Sequence, residues 1–153
     1  MKIFHHNDLD GQCAASLVKR KYPECVESDF VSMVYEKSFP FELLDDGPCY
    51  ILDFSLEPAD METLMNQLNG NVIWIDHHKS AIDKYQDFRY EVPGVRDVKD
   101  AGCVLTWRRL FPEQEVPLYV QYVGDRDAWK WELGGQLPSA KAEGLSGDRQ
   151  RKS

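Results

Sequence analysis

The middle of the chain contains a strand, a helix and a second strand, and this unit constrains the fold more than any other feature. The runs YILDFS (50–55) and NVIWI (71–75) are short, largely apolar and β-prone. Between them, Pro58 suits the first turn of a helix, and apolar residues then recur every three or four positions up to the Asn-Gly pair at 69–70. Near-continuous apolar strands are typical of parallel sheets that are covered on both faces. The unit therefore predicts an α/β fold.

The rest of the chain repeats this alternation. Residues 2–6 and 26–35 predict strands, 11–22 and 101–111 predict helices, 38–48 predict a loop, and 116–124 predict a helix or a strand. We expect a mostly parallel sheet flanked by helices on both faces, with a metal site at the C-terminal ends of the strands. One domain should cover residues 1–133. The Gly-, Ser- and charge-rich segment 134–153 is expected to be a flexible tail or the remnant of a connector.

Composition limits the partners and the location. The formal net charge of −8 argues against long duplex DNA, which needs a basic surface, although an acidic cluster can hold phosphate through a bound cation. No run of eighteen apolar residues occurs, and the N-terminus turns polar after four residues, so no membrane partner and a cytoplasmic location are expected. The four cysteines are widely spaced without a CxxC pair, which indicates reduced thiols.

Acidic residues and all four histidines collect at the ends of the predicted apolar runs. His6, Asp8 and Asp10 follow the first strand, Asp53 ends the third, Asp76, His77 and His78 end the fourth, and Asp125 and Asp127 follow the last apolar run. In open α/β sheets, ligands bind at the carboxyl ends of the strands. Carboxylates and imidazoles suit Mn²⁺, Mg²⁺, Fe²⁺ or Zn²⁺, and so many ligands exceed what one ion needs. The pattern predicts a two-metal site that hydrolyses phosphoesters.

Structural interpretations compete with each cluster taken alone. A single aspartate at a strand end is often a turn residue or a helix cap, and a pair of histidines can lie in a surface turn. The segment NDLDG (7–11) resembles the start of an EF-hand calcium loop, but the glutamate needed at position twelve is replaced by Leu17. The spacing of Asp8 and Asp10 also occurs in phosphatases of the haloacid dehalogenase type, where the first aspartate is the nucleophile. The coincidence of all the clusters at one predicted edge favours the metal site.

Four motifs in order resemble the DHH phosphoesterase superfamily. They are HNDLDG (6–11), the strand-end Asp53, DHH (76–78) and VGDRDAW (123–129), and the resemblance spans residues 2 to about 133. That superfamily includes RecJ-type single-strand exonucleases, nano-RNases, cyclic dinucleotide phosphodiesterases and family II inorganic pyrophosphatases. The resemblance implies hydrolysis of phosphate bonds with two metal ions, usually Mn²⁺, for which Mg²⁺ or Co²⁺ could substitute.

The resemblance also implies roles for individual residues. One ion would be held by His6, Asp8 and Asp53, and the other by Asp10, Asp53, His77 and Asp125, so that Asp53 bridges the pair. His78 would contact the phosphate or donate a proton, and Asp76 would orient an imidazole. Substrate binding falls to Lys79, Arg126 and Asp127. The choice between Asp125 and Asp127 as the last ligand is open, with Asp125 preferred because it directly follows the apolar run. Trp129 and Trp131 could stack on a base or belong to the core.

Members of the superfamily usually carry a second, C-terminal domain that grips the substrate, and the sequence after Leu133 has no pattern of that kind. The expected activity is cleavage of short oligonucleotides or small nucleotide phosphoesters, weakened if no second domain is present. A homodimer could supply the missing wall of the cleft. The alternative is a catalytically weak module that binds metal and nucleotide without turning substrate over.

Overall fold

Five strands form one parallel sheet in the computed structural model, which describes residues 1–132 and their side chains as far as residue 128. The strands are β1 (Lys2–His6), β2 (Phe30–Met33), β3 (Cys49–Leu52), β4 (Val72–Asp76) and β5 (Gly94–Arg96). Their order is β2-β1-β3-β4-β5, and every neighbouring pair is parallel. All five carboxyl ends therefore lie along the same edge, and the predicted α/β class is confirmed.

Five helices cover the two faces of the sheet. They are α1 (Leu9–Lys21), α2 (Pro58–Gln67), α3 (Lys79–Lys84), α4 (Gly102–Leu110) and α5 (Leu118–Glu132). Buried residues of α1, α4 and α5 form one core with the sheet, and those of α2 and α3 form the other. Within residues 1–132, we find no helix with the length and apolar character needed to cross a membrane. The segment 134–153 lies outside the described residues.

Alternation along each strand supplies side chains to both cores. Ile3 belongs to the core under α1, α4 and α5, whereas its neighbour Phe4 belongs to the core under α2, and both are fully buried. Trp74 of β4 continues the second core and donates its indole N–H to the carbonyl oxygen of Phe54 over 2.8 Å. Burying an aromatic or branched side chain contributes roughly 1.5–3 kcal/mol. The two cores therefore hold the carboxyl edge of the sheet rigidly from both sides.

One element prediction needs correction, and one open alternative is decided. The strand predicted for 26–35 shortens to β2, because the Asp29 carboxylate accepts the backbone N–H of Val26 over 2.8 Å and closes a 3₁₀ turn before the strand begins. The apolar run 116–124 is helical, since Val120 and Gly124 are buried while Tyr119 and Tyr122 are exposed, which is the period of a helix. The fourth acidic motif therefore lies within α5 and not after a strand.

Candidate metal centre

The turn from β1 into α1 places the first carboxylates. Asp8 is the N-cap of α1, and its side chain accepts the backbone N–H of Gly11 over 2.8 Å. A Cβ atom at position 11 would lie 2.1 Å from the carbonyl oxygen of His6, so only glycine lets the helix start this close to the strand. Asp10 thereby comes to lie in the first helical turn, 1% exposed, beneath the edge of the sheet.

Asp53 occupies the centre of the edge in an unusual backbone conformation. Its φ angle is 55°, in the left-handed region that few residues other than glycine adopt, although aspartate tolerates it better than most. The backbone N–H of Asp53 donates to the carbonyl oxygen of Ile75 over 2.8 Å, which continues the pairing of β3 with β4. The carboxylate is completely buried. Strained backbone of this kind is commonly found where a side chain must be held for function.

His6 and Asp8 form one group with Asp53 that could hold a metal ion. The Nδ1 atom of His6 lies 3.1 Å from Oδ2 of Asp8 and 3.8 Å from Oδ2 of Asp53. One ligand atom from each of the three residues falls within 4.8 Å of the others. The carboxylates of Asp53 and Asp8 raise the pKa of His6 to about 10, because both favour its protonated form.

His77 joins a second group with Asp10 and Asp127, beside the same central carboxylate. Its Nε2 atom lies 3.1 Å from Oδ1 of Asp53, 3.4 Å from Oδ2 of Asp10 and 3.5 Å from Oδ2 of Asp127. Burial lowers the pKa of His77, but hydrogen bonds with Asp10 and Asp53 outweigh burial and raise the pKa to about 11. Burial raises the pKa of Asp127, and the nearby Asp10 carboxylate adds to the shift.

Buried polar atoms show that the donor set fits divalent cations. Among the described residues, His6 Nδ1, Asp53 Oδ2 and Asp76 Oδ2 are buried side-chain atoms without an aligned hydrogen-bond partner. An unsatisfied buried polar group costs about 1–3 kcal/mol. Burial and the neighbouring carboxylates of Asp10 and Asp8, opposed by hydrogen bonds with His6 and His77, together raise the pKa of Asp53 to about 7. A cation on either side of Asp53 would relieve both the desolvation and the repulsion.

The N-terminus of α4 holds Asp10 from behind. The backbone N–H groups of Gly102 and Cys103 donate to the two oxygens of Asp10 over 2.9 and 2.8 Å. Burial acts to raise the pKa of Asp10, but hydrogen bonds with His77 and Cys103 outweigh it and lower the pKa. A Cβ at position 102 would lie 3.0 Å from Cβ of Asp53, so the glycine also admits the central carboxylate. Sequence reasoning missed Gly102; its only signal was a glycine at the start of a predicted helix.

Asp76 orients one of the two adjacent histidines. Its Oδ1 atom lies 2.7 Å from Nδ1 of His78 and accepts the backbone N–H of His77 over 2.9 Å. The hydrogen bond with Asp76 raises the pKa of His78. The predicted orienting partner of Asp76 is therefore His78. The structure also groups His78 with Asp53 and His77 as side chains that could share an ion.

The preference for Asp125 over Asp127 rested on its position directly after the apolar run, and that run belongs to α5. Successive helical residues turn by about 100°, so two aspartates two positions apart point in different directions. Asp127 reaches Asp10 and His77, whereas Asp125 is exposed and belongs to none of the groups found among the described residues. Asp125 instead lines a separate cavity of about 540 Å³ with Arg108 and Asp100. Of the two aspartates, Asp127 therefore lies with the candidate ligands, and Asp125 does not.

Cavities beside the cluster contain the predicted substrate-binding side chains. One of about 380 Å³ is lined by His78, Lys79 and Lys99, and a smaller one of about 120 Å³ is lined by Arg126 with Asp8 and Asp10. Lys79 pairs with Asp83 over 2.9 Å on the exposed surface of α3, while Arg126 donates to the hydroxyl of Tyr122 over 3.3 Å. The side chains of Trp129 and Trp131 lie outside the described part of the chain.

Comparison with known proteins gives one similar sequence. The chain is 24% identical to an uncharacterized protein of Acanthamoeba polyphaga mimivirus over 100 residues, which are 63% of this chain and 23% of that protein. The chain thus spans about a quarter of the length of the curated relative it matches. No family model matches the chain, and no solved structure matches it. Membership of the DHH superfamily therefore stays a prediction from the four motifs.

Proposed function

We propose that this chain is a divalent-metal-dependent phosphohydrolase of the DHH type that cleaves short oligonucleotides or small nucleotide phosphoesters. The observation that carries the proposal is the position of Asp53 between two groups of donors. Its Oδ2 atom faces His6, whose Nδ1 is 3.8 Å away, while its Oδ1 atom lies 3.1 Å from Nε2 of His77. One carboxylate whose two oxygens face separate donor groups has the arrangement of a ligand shared by two ions.

The residues divide between the two proposed ions by proximity. One set consists of His6, Asp8 and Asp53, and the other consists of Asp53, His77, Asp10 and Asp127. Two bound ions, Mn²⁺ in this proposal, would supply an ionised water and stabilise charge on the phosphate oxygens. The chain's own contribution is to fix the positions of the ligands. Two backbone N–H groups of α4 bind Asp10, and the left-handed backbone conformation fixes Asp53. Asp8 caps α1 and fixes where that helix begins.

His78 is the proposed proton donor to the leaving oxygen. The Oδ1 atom of Asp76 lies 2.7 Å from Nδ1 of His78 and raises the pKa of that imidazole. The ring therefore keeps its proton to a higher pH than a free histidine does. The proton given up would then be the one on Nε2, on the side of the ring remote from Asp76. His78, Lys79 and Lys99 line the 380 Å³ cavity next to His77 together with Asp100 and Asp127, so a phosphate bound there would have basic side chains within reach.

The acidic chain and the size of the adjoining cavities support a small substrate. A net charge of −8 disfavours long duplex DNA, and a cavity of about 380 Å³ is within the range of small-molecule sites. The proposal keeps the cytoplasmic location predicted from the sequence. It also keeps a homodimer as one source for a second cleft wall.

The test is release of mononucleotides from an end-labelled tetraribonucleotide, with and without Mn²⁺, by the wild type and by Asp53→Asn. Asparagine is chosen because it tolerates the positive φ at this position and removes only the charge. Asp87→Asn is a matched control, since Asp87 is exposed and away from the cluster. We expect Mn²⁺-dependent cleavage by the wild type and the control, and a loss of roughly a hundredfold or more in Asp53→Asn.

Two outcomes would count against this function. Cleavage that persists in Asp53→Asn would contradict the shared-ligand role and with it the two-ion mechanism. Stoichiometric Mn²⁺ binding without cleavage of this tetramer or of a small nucleotide diester would favour the alternative, a module that binds metal and nucleotide. Isothermal titration with Mn²⁺ on the same samples separates that result from a failure to bind metal.

A further inference from the structure

The rings of Tyr35 and Phe54 lie beside His6, one of the candidate ligands, and neither residue belongs to the four motifs. Tyr35 lies in the turn after β2, and its ring stacks on that of Phe54 with centroids 4.4 Å apart and an interplanar angle of 19°. The centroid of the His6 ring is 5.4 Å from that of Tyr35 and 6.1 Å from that of Phe54. A tyrosine thus contacts a proposed metal ligand directly.

The chain fixes this tyrosine in place while leaving it accessible. Phe54 directly follows Asp53 and is 4% exposed, whereas Tyr35 is 52% exposed. Phe54 covers one face of the Tyr35 ring, and about half of the surface of Tyr35 stays open to solvent. The backbone N–H of Asn7 donates to the carbonyl oxygen of Met33 over 3.2 Å, which joins the end of β1 to the strand that precedes Tyr35. The stacking on Phe54 and this backbone bond together keep Tyr35 beside the cluster.

The strand order sets where this ring lies along the edge of the sheet. β2 is the outer strand next to β1, and β3 follows, so Tyr35, His6 and Asp53 succeed one another along the edge. Two strand spacings of about 4.8 Å separate β2 from β3, or roughly 10 Å. The cavity with Lys79 and His78 lies at the other side of Asp53, after β4. A substrate phosphate over Asp53 would thus have the ring of Tyr35 on one side and the basic side chains of His78 and Lys79 on the other.

We propose that Tyr35 is a stacking platform for the nucleobase attached to the phosphate that is cleaved, and that it makes the site selective for nucleotides over base-free phosphoesters. The inference rests on the proposed phosphohydrolase function and narrows its substrate class. A preorganised, half-exposed aromatic ring loses little side-chain freedom when a base stacks on it, which is why such rings recur in sites for single strands. A substrate without a base, such as inorganic pyrophosphate, could use the metal cluster but gain nothing from this ring.

The test compares the cleavage of two substrates in the presence of Mn²⁺. One is the dinucleotide ApA, and the other is the same phosphodiester with both bases removed. The variants are Tyr35→Ala, Tyr35→Phe, which keeps the ring, and Tyr119→Ala, which removes a tyrosine of similar exposure, 49%, on α5. We expect Tyr35→Ala to raise KM for the dinucleotide roughly tenfold, with kcat and the abasic substrate nearly unchanged. Tyr35→Phe and Tyr119→Ala should behave as the wild type does.

A purely structural role for Tyr35 predicts a different pattern. If Tyr35→Ala impairs both substrates equally, or lowers Mn²⁺ affinity in a titration, the ring acts through His6 and the stacking proposal is overturned. If the wild type cleaves neither substrate, the proposed function fails, and stacking is then read from AMP binding to the Mn²⁺-loaded protein. Equal AMP affinity of wild type and Tyr35→Ala would overturn the stacking proposal on its own, whereas about a tenfold weaker affinity of the variant would support it.

Discussion

The two faces of the sheet are built alike but contribute differently to the carboxyl edge. On one face, α1 and α5 supply Asp8, Asp10 and Asp127, and the N-terminus of α4 supplies two backbone N–H groups to Asp10. On the other face, α2 supplies Met61, Leu64 and Met65 to the core and no residue to the groups of donors found among the described residues. The helices of the first face therefore carry most of the candidate ligands, whereas α2 contributes packing. On the same face as α2, helix α3 begins at His78 and Lys79 beside the candidate site.

The difference arises where each helix begins. Asp8 caps α1 only two residues after the end of β1, so the first turn of that helix reaches the edge. Five residues separate β3 from Pro58 at the start of α2, and Glu57 caps that helix without a side-chain hydrogen bond. The two-residue link therefore places the first turn of α1 at the site. Link length alone does not decide which helices reach it, because five residues also separate β5 from α4, whose first backbone N–H groups bind Asp10.

The largest effect should be the loss of stability caused by truncating a core residue of α2, and this change should leave metal binding intact. Leu64 is fully buried in α2, and truncation to alanine is expected to lower the free energy of unfolding by about 2–5 kcal/mol. Urea unfolding of the metal-free protein measures the loss. Calorimetric titration with Mn²⁺ below the unfolding transition should give the wild-type affinity. A clear drop in that affinity would contradict the view that α2 contributes packing and not metal binding.

The second prediction separates the two aspartates of α5. Asp127→Asn removes a carboxylate 3.5 Å from His77 and should weaken binding of the second metal ion by roughly a hundredfold. Asp125→Asn is the matched control on the same helix, and its metal affinity should stay near that of the wild type. The reverse ranking would restore the preference inferred from the apolar run and would show that α5 rotates when metal binds.

The third prediction concerns pH. His6 and His77 hold protons in the metal-free protein because nearby carboxylates, which for His77 outweigh burial, raise their pKa values to about 10 and about 11. Metal must displace these protons, so affinity for Mn²⁺ should rise with pH by about tenfold per unit for each proton released, at every pH below about 10. Asp53, whose pKa is about 7, releases a further proton on binding metal below about pH 7. Titrations in buffers of different ionisation enthalpy count the protons. An affinity independent of pH would mean that neither imidazole is a ligand.

The smallest expected effect is that of Gly102→Ala. The new methyl group would lie 3.0 Å from Cβ of Asp53 and 3.2 Å from Oδ2 of Asp10, so the two carboxylates must separate slightly. We expect Mn²⁺ affinity to fall about tenfold, as is typical when a partner behind a ligand is disturbed. Thermal unfolding of the metal-free protein should change little, since alanine is a better helix former than glycine. Unchanged affinity would show that the clamp on Asp10 is loose.

The parts of the molecule that the sequence predicted correctly are those set by local pattern. Apolar runs and a period of three to four residues predicted β4 and α2, and therefore the α/β class, because burial on both faces leaves a direct trace in composition. Strand ends also predicted the gathering of His6, Asp53 and His77, since parallel strands must end at one edge.

What the sequence did not predict depends on contacts between distant segments. The clamp on Asp10 joins residues 92 and 93 positions apart, and no local pattern records it. The choice of Asp127 follows from the rotational phase of α5, which its packing against α4 fixes. The positive φ of Asp53 is set by its pairing with Ile75, and aspartate is common enough at strand ends to give no warning of it.

The spread of the candidate ligands along the chain has a consequence for biosynthesis. They run from His6 near the start to Asp127 in the last described helix, and β1 lies between β2 and β3, which are made later. A ribosome must therefore release nearly all of the described residues before both groups of donors exist. Until then the carboxylates of the growing chain are dispersed and weakly attractive to cations. A chain cut short before α5 would lack part of the second set.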